Sequence, residues 1–316
     1  MRERWVQSLG RSVGAVGLGC VGMSAEYDTA DLNDERSLLV LAAALRLGIS
    51  LFDTADVYGP FTNERLVGRG LRGHAADVVI ASKAGLVQDE PAGRTRPCGD
   101  PHHLRTACDA SLRRLGVDVI DLYFLHRVDP AVPLEVSWEA MAGLVAAGKV
   151  RALGLCEVGE DELARAHAIY AVAAVQSELS LWTRGPLAEV VPWCRVHGAM
   201  FNAYSPLGRG YLTGRVGPRS FQPDDIRFGN PRFTAGAMAA NRVILAVIER
   251  IARRHDASLG QVSLAWVLAQ GDHVVPIPGT KRLHYLEENC KAADLRLTAA
   301  DLAELDAMPP AVGERY

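Results

Sequence analysis

Four ionisable side chains stand at or shortly after the ends of three short apolar runs in the first 126 residues. Asp53 ends Leu51-Phe52, and Tyr58 stands five residues further on. Lys83 ends Val78-Val79-Ile80-Ala81-Ser82, and His126 ends Ile120-Asp121-Leu122-Tyr123-Phe124-Leu125. A phenol is a poor acid near neutrality, with an unperturbed pKa of about 10. An ammonium group within hydrogen-bond reach stabilises the phenolate and lowers that value. An aspartate beside the lysine keeps it charged and oriented. A neutral imidazole next to the phenol can hydrogen-bond a carbonyl oxygen. Together the four could polarise a carbonyl and protonate it, which general acid catalysis values at roughly 10²–10⁴-fold. Each residue alone also reads as structure: Asp53 and Lys83 as an ion pair, Tyr58 and His126 as packing. Four at successive run ends read as a site. Asp56, between Asp53 and Tyr58, receives no catalytic part.

Elements that would position these groups recur along the whole chain. Apolar runs too short for helices occur at 16–19, 49–52, 78–81, 120–125, 150–155, 173–176, 200–204 and 274–277. They read as strands buried on both faces, as in a parallel sheet. Helical segments alternate with them. Asn33/Asp34 open 34–47, which Gly48 stops; Asp100 caps 101–115, with Pro101 in the first turn and Gly116 as the stop. Further helices are expected at 134–147, 160–170, 242–255 and 259–270. This alternation predicts right-handed βαβ units and an α/β fold: a (β/α)8 TIM barrel forming one domain over 1–316, with long loops on its C-terminal face. Those loops are Gln88–Gly99 and Leu207–Gly236, both rich in Gly and Pro and expected to lack regular structure. Gly17, Gly19 and Gly22 match the G-x-G-x-x-G spacing of a dinucleotide fold. No long helix follows at once, and no acidic ribose partner closes a βαβ unit. The spacing therefore reads as a tight loop at the first strand.

With 49% apolar and 22% charged residues, the chain can bury a sizeable core. A formal net charge of −3 gives no pull toward nucleic acid or anionic membrane. The arginine clusters (94 and 96, 113 and 114, 253 and 254) read as helix-face or loop charges. Six scattered cysteines without a CxxC pair argue against a disulfide framework or metal site and point to a reducing cytoplasm. The first residues lack a signal-type apolar segment, and no apolar stretch is long enough to span a membrane.

The run Phe52-Asp53-Thr54-Ala55-Asp56-Val57-Tyr58-Gly59 resembles the signature of the aldo-keto reductase family around its catalytic Asp and Tyr. Ala81-Ser82-Lys83 is similar to the family's lysine segment, and Asp121-Leu122-Tyr123-Phe124-Leu125-His126 to its histidine segment. The likeness continues to Pro276-Ile277-Pro278-Gly279-Thr280-Lys281-Arg282 and Glu287-Glu288-Asn289, covering nearly the whole chain. It implies a barrel that binds NADPH in extended form and reduces a small-molecule aldehyde or ketone, with Tyr58 as acid and Lys83, Asp53 and His126 in support. It also implies that Gln176 holds the nicotinamide amide and that Tyr204 stacks on the ring. Ser205, Leu207, Gly208 and Arg209 would follow the pyrophosphate. Gly279, Thr280, Lys281 and Arg282 would embrace the 2′-phosphate, which suits adjacent cations at a helix start. Glu288 and Asn289 would meet the adenine. Gly59-Pro60-Phe61-Thr62-Asn63-Glu64 resembles the branch acting on varied aldehydes and ketones.

Two positions depart from that pattern. Cys156 stands where the family usually carries serine, and Glu157 where many members have asparagine; both normally bond the nicotinamide amide. A thiol is a weaker donor and acceptor, so Cys156 is expected to hold the cofactor more loosely. Leu179 replaces a frequent Tyr or Phe. Trp266, in an apolar helical stripe, reads as core; Trp182, after the sixth strand at the barrel mouth, reads first as packing, with a border of the substrate site as the lesser alternative. Other readings stay open: a reductase dedicated to a biosynthetic intermediate such as a nucleotide-linked keto-sugar, or a non-catalytic NADPH-sensing subunit. A metal-dependent isomerase barrel finds no convergent ligand set. Specificity is expected in Gln88–Gly99, Leu207–Gly236 and Pro309–Tyr316; oligomeric state stays open.

Overall fold

Eight strands lie side by side in chain order in a computed structural model that describes residues 1–89, 94–217 and 221–316. They are β1 (Leu18–Gly19), β2 (Leu51–Asp53), β3 (Val79–Ala84), β4 (Ile120–Leu125), β5 (Val150–Cys156), β6 (Val172–Glu178), β7 (Met200–Tyr204) and β8 (Val274–Pro276). Every neighbouring pair is parallel. The first strand also meets the last: Gly17 N donates to Pro276 O at 3.0 Å, and Gly19 bridges Gly279. The expected (β/α)8 barrel is thus formed. Its seam accounts for the glycines near the start. A Cβ on Gly19 would stand 2.7 Å from Ile277 O, and one on Gly17 3.1 Å from Leu51 O. They allow close approach of backbones, and a short 3-10 turn at Val21–Met23 follows them.

Helices cover the sheet: α1 (Asp34–Arg46), α2 (Thr62–Gly70), α3 (Pro101–Leu115), α4 (Leu134–Ala146), α5 (Glu160–Ile169), α6 (Val190–Val196), α7 (Ala235–Ala240), α8 (Arg242–Arg254), α9 (Leu259–Ala269), α10 (Leu283–Lys291) and α11 (Ala299–Asp306). The caps read from sequence are made. Asn33 Oδ1 accepts from Arg36 N, and Asp100 Oδ1 from His103 N, both at 2.8 Å. Gly116 takes a left-handed φ of 69° and donates to Leu112 O. No helix among the described residues is long and apolar enough to cross a membrane.

Strand alternation sends Leu51, Val79, Ala81, Leu122, Phe124 and Ala152 into the barrel interior. Gly154 leaves room for Phe124, whose ring carbon would lie 2.3 Å from a Cβ there. A hairpin absent from the sequence expectations, Glu3–Val6 with Arg11–Gly14, adds Val6 and Val13 to this cluster. Ser8 Oγ holds Ala173 O at 2.8 Å, and Arg11 Nη1 holds Val78 O at 3.1 Å. Both carbonyls precede or open strands, so the hairpin plugs the N-terminal end.

Three expectations need correction. Gln88–Gly99 is not bare loop: Leu86–Asp89 pairs antiparallel with Arg94–Pro97, which satisfies backbone groups an exposed loop would leave to water. Leu207–Gly236 contains 3-10 turns at Tyr211–Thr213 and Pro231–Phe233 and begins α7. Residues 90–93 and 218–220 of these segments lie outside the described residues. Arg114 is no solvated helix charge either, since its Nε donates to the fully buried Glu64 at 2.6 Å.

Candidate active site

Lys83 is fully buried at the C-terminal end of β3, and all three of its ammonium hydrogens have acceptors. Nζ lies 2.6 Å from Asp53 Oδ1, 2.7 Å from Thr54 O and 3.2 Å from the Tyr58 hydroxyl. Register places Asp53 opposite Ala81, two residues before Lys83 on the adjacent strand, so both side chains emerge at the C-terminal end of the sheet. Asp53 Oδ2 accepts from Gln176 Nε2 at 2.7 Å, which ties β2 to β6 across the barrel mouth. The sequence reading expected an aspartate paired with and orienting the lysine, and the two side chains are so placed.

Tyr58 differs from expectation in one respect. Burial, followed by the Asp53 carboxylate, pushes its phenol well above the usual value near 10. The lysine was expected to lower it, but desolvation dominates. The phenol is therefore neutral, and because its oxygen accepts from Lys83, its own hydrogen points elsewhere. His126 stands edge-on to it, with ring centroids 5.8 Å apart. Burial, then the Lys83 and Arg127 charges, holds this imidazole well below 6.5, so it is also neutral, and its buried Nδ1 has no partner. Asp56 points into a different environment. Burial and Glu64 push its carboxyl up to about 7, and its Oδ1 has no partner.

The ends of β5, β6 and β7 form the opposite wall. Cys156 pairs in register with Gln176, and Gln176 with Asn202. Burial pushes the Cys156 thiol up to about 12, leaving it uncharged. Asn202 is fully buried with both side-chain polar atoms unpartnered. Glu157 adopts a left-handed φ of 54°, as do Ser205 at 47° and Arg209 at 53° in the turn after β7. Non-glycine residues in that region carry strain and cluster at functional sites. Gly208 fits against the indole of Trp182, where a Cβ would come within 2.8 Å. Trp182 itself is buried and stacked on Tyr211 at 4.6 Å, and so supports the loop after β7. Trp266 is core, as expected.

The second expected cluster lies beside the seam. Lys281 Nζ donates to Tyr27 O at 3.0 Å and Asp28 O at 2.8 Å, and Arg282 pairs with Asp31 at 2.9 Å. Thr280 Oγ1 accepts from Arg282 N just before α10. Gly279 packs on Gly19, which pairs in register with Asp53, so both clusters share the C-terminal end of the barrel. Glu288 faces Ser258 and Arg215 at 2.6 and 2.8 Å, and Asn289 is buried. Among the described residues, no three His, Cys, Asp or Glu side chains gather as a metal ion requires. A cavity of about 600 Å³ between α2 and α3 lies away from these strand ends; its Arg69, Arg113 and Arg114 lie in the last turns of those helices, where cations offset the dipole.

A sequence description of the aldo/keto reductase family matches residues 15–309. The chain belongs to that family. The chain is similar to the structure of a glycerol dehydrogenase from Gluconobacter oxydans, with 27% identity, a TM-score of 0.87, and coverage of 96% of this chain and 94% of that one. It is also similar to an aldo/keto reductase from Klebsiella pneumoniae in complex with NADP and acetate, at 28% identity and TM-score 0.75, covering 100% and 99%. A Bacillus halodurans aldo-keto reductase at 22% identity and TM-score 0.81 shares the fold over 100% and 99%.

One group of residues escaped sequence reasoning. Arg315 reaches the wall formed by β5, β6 and β7 and contacts Glu157, Glu178 and Tyr204. The signals were the carboxylate at 157 where an amide is expected and the place of Arg315 in the tail Pro309–Tyr316, to which specificity but no single residue is assigned.

Proposed function

We propose that this member of the family reduces an aldehyde or ketone with NADPH and that Tyr58 is the general acid. The observation that carries the reading is the saturation of Lys83. Its three hydrogens go to Asp53, Thr54 and Tyr58, so the remaining O–H of Tyr58 is free for a substrate oxygen. A neutral His126 beside the phenol can donate to the same oxygen and help hold it.

The residues present fit the cofactor. Gln176 uses only its nitrogen on Asp53, leaving Oε1 to accept from a carboxamide, and the orphaned amide of Asn202 lies beside it in register. Tyr204 would support the ring, and Cys156 would contribute weak polar contact. Ser205, Leu207, Gly208 and Arg209 would line the pyrophosphate; Gly279 to Arg282 would meet the 2′-phosphate, and Glu288 and Asn289 the adenine. The Klebsiella relative bound to NADP supports the choice. When bound, NADPH supplies the hydride. The protein orients the carbonyl, donates a proton from Tyr58 Oη, and keeps Lys83 charged through Asp53. Six free cysteines suit a reducing compartment such as the cytoplasm.

Tyr58→Phe tests the assignment. NADPH binding, followed by fluorescence titration, stays intact while turnover of a generic aldehyde falls by about 100-fold or more. Unchanged turnover removes Tyr58 from its role. Absence of turnover in the wild type across an aldehyde panel would favour the cofactor-sensing alternative.

A further inference from the structure

Residues 309–316 follow α11 without regular secondary structure, yet they are tied down repeatedly. Val312 N donates to Asn241 Oδ1 at 2.8 Å, and Asn241 Nδ2 returns a bond to Val312 O at 2.9 Å. Arg232 Nε donates to Gly313 O at 3.2 Å, and Asn230 Nδ2 to Arg315 O at 2.9 Å. Gly313 has φ 96°, and a Cβ there would lie 2.9 Å from Pro231 O, so this turn requires glycine. The loop after β7 therefore delivers Arg315 to the strand ends.

There the guanidinium makes a fork-to-fork pair with Glu157, at 2.7 and 2.6 Å, and its Nε reaches Glu178 at 2.8 Å. It also donates to the Tyr204 hydroxyl, which lies 3.0 Å from that of Tyr316. Side-chain exposures of 24% for Arg315, 18% for Glu157 and 2% for Glu178 set this apart from a solvated surface pair. Glu178 has other support, from Thr183 Oγ1 at 2.7 Å, Arg232 at 3.7 Å and Arg209 at 3.8 Å. Among the described residues, Glu157 has Arg315 as its one salt-bridge partner. The carboxylate has no N–H to donate, unlike the amide that the family pattern puts at this position.

We propose that Glu157 and Arg315 act as one unit, a strap that holds residues 309–316 across the nicotinamide end of the cofactor groove. Arg315 is a positioning residue. It supplies the donors lost with the amide, fixes Tyr204 by its hydroxyl, and slows cofactor exchange. The inference rests on the functional reading above, in which Tyr204 supports the nicotinamide.

Stopped-flow fluorescence of NADPH release tests it on the wild type and on Arg315→Ala, Arg315→Lys, Glu157→Asn and the Glu157→Asn/Arg315→Ala double variant. Arg315→Ala should accelerate release by about tenfold or more, with a matching rise in KM for NADPH, and Arg315→Lys should recover part of it. In the Glu157→Asn background, where amide donors return, Arg315→Ala should change release by less than about threefold. A strap that merely stabilises the fold would lower Tm equally in both backgrounds and leave release unchanged; that result overturns the proposal. Equal acceleration in both backgrounds overturns the coupling of Arg315 to Glu157. No NADPH binding by the wild type overturns the functional reading and the strap together, whereas normal wild-type binding with unchanged release in Arg315→Ala overturns the strap alone.

Discussion

Asp56→Asn should make the protein progressively more stable than the wild type as pH rises. The Asp56 side chain is 3% exposed, its Oδ1 has no partner, and the buried Glu64 lies near enough to oppose its ionisation. Lys83 and Arg114 act in the other direction but lose to burial, and the carboxyl stands at about 7 against an ordinary value of 3.8. The unfolded chain gives up this proton near pH 4, whereas the folded chain keeps it until about pH 7. Between those values the folded state binds more protons, so stability falls as pH rises and the loss is complete above the folded value. At 1.36 kcal/mol per pKa unit, the full loss is about 4 kcal/mol, of which about 2–3 kcal/mol accrues between pH 5 and pH 8. Asparagine does not titrate, and the other carboxylates cancel in the difference between the two proteins. Urea unfolding at pH 5, 6, 7 and 8, followed by tryptophan fluorescence, measures that difference. If it stays constant across the four values, Asp56 ionises as an ordinary surface carboxylate and the reasoning from burial is wrong.

Lys83→Met leaves Asp53 buried without its cation and should cost roughly 3–5 kcal/mol of stability along with most turnover; urea midpoints within error of the wild type would contradict this. Lys281→Ala together with Arg282→Ala should narrow the preference for NADPH over NADH, read as the ratio of their kcat/KM values, and an unchanged ratio would remove both from the 2′-phosphate site. Because burial holds His126 well below 6.5 and Tyr58 well above 10, kcat/KM for carbonyl reduction should be level from pH 6 to 9. An inflection near 6.5 that disappears in His126→Asn would show a histidine that titrates.

The barrel was legible because parallel strands buried on both faces leave unbroken apolar runs, and all eight fall where those runs do. Helix ends followed from local chemistry at Asn33, Asp100-Pro101 and Gly116. The plug at the N-terminal end was not legible: Glu3–Val6 is four residues with alternate burial and an exposed Trp5, too short to establish a period. In the candidate site, Asp53, Lys83 and His126 were visible because each ends a strand. Arg315 was not. Its partner Glu157 lies 158 residues away, and a charged residue in a polar segment reads as solvated. The sign of the Tyr58 shift also escaped, because sequence names the neighbouring charge and not the depth of burial that outweighs it.

The hairpin that carries Val6 and Val13 has a kinetic corollary. With one end of the barrel stoppered, everything that reaches the strand ends must use a single door. On the proposed reading, cofactor and carbonyl compound meet at those strand ends and share that door. Two reactants with one way in and out cannot come and go independently, which imposes a queue. Order of addition is thereby written into the far side of the molecule, by two valines that touch neither reactant.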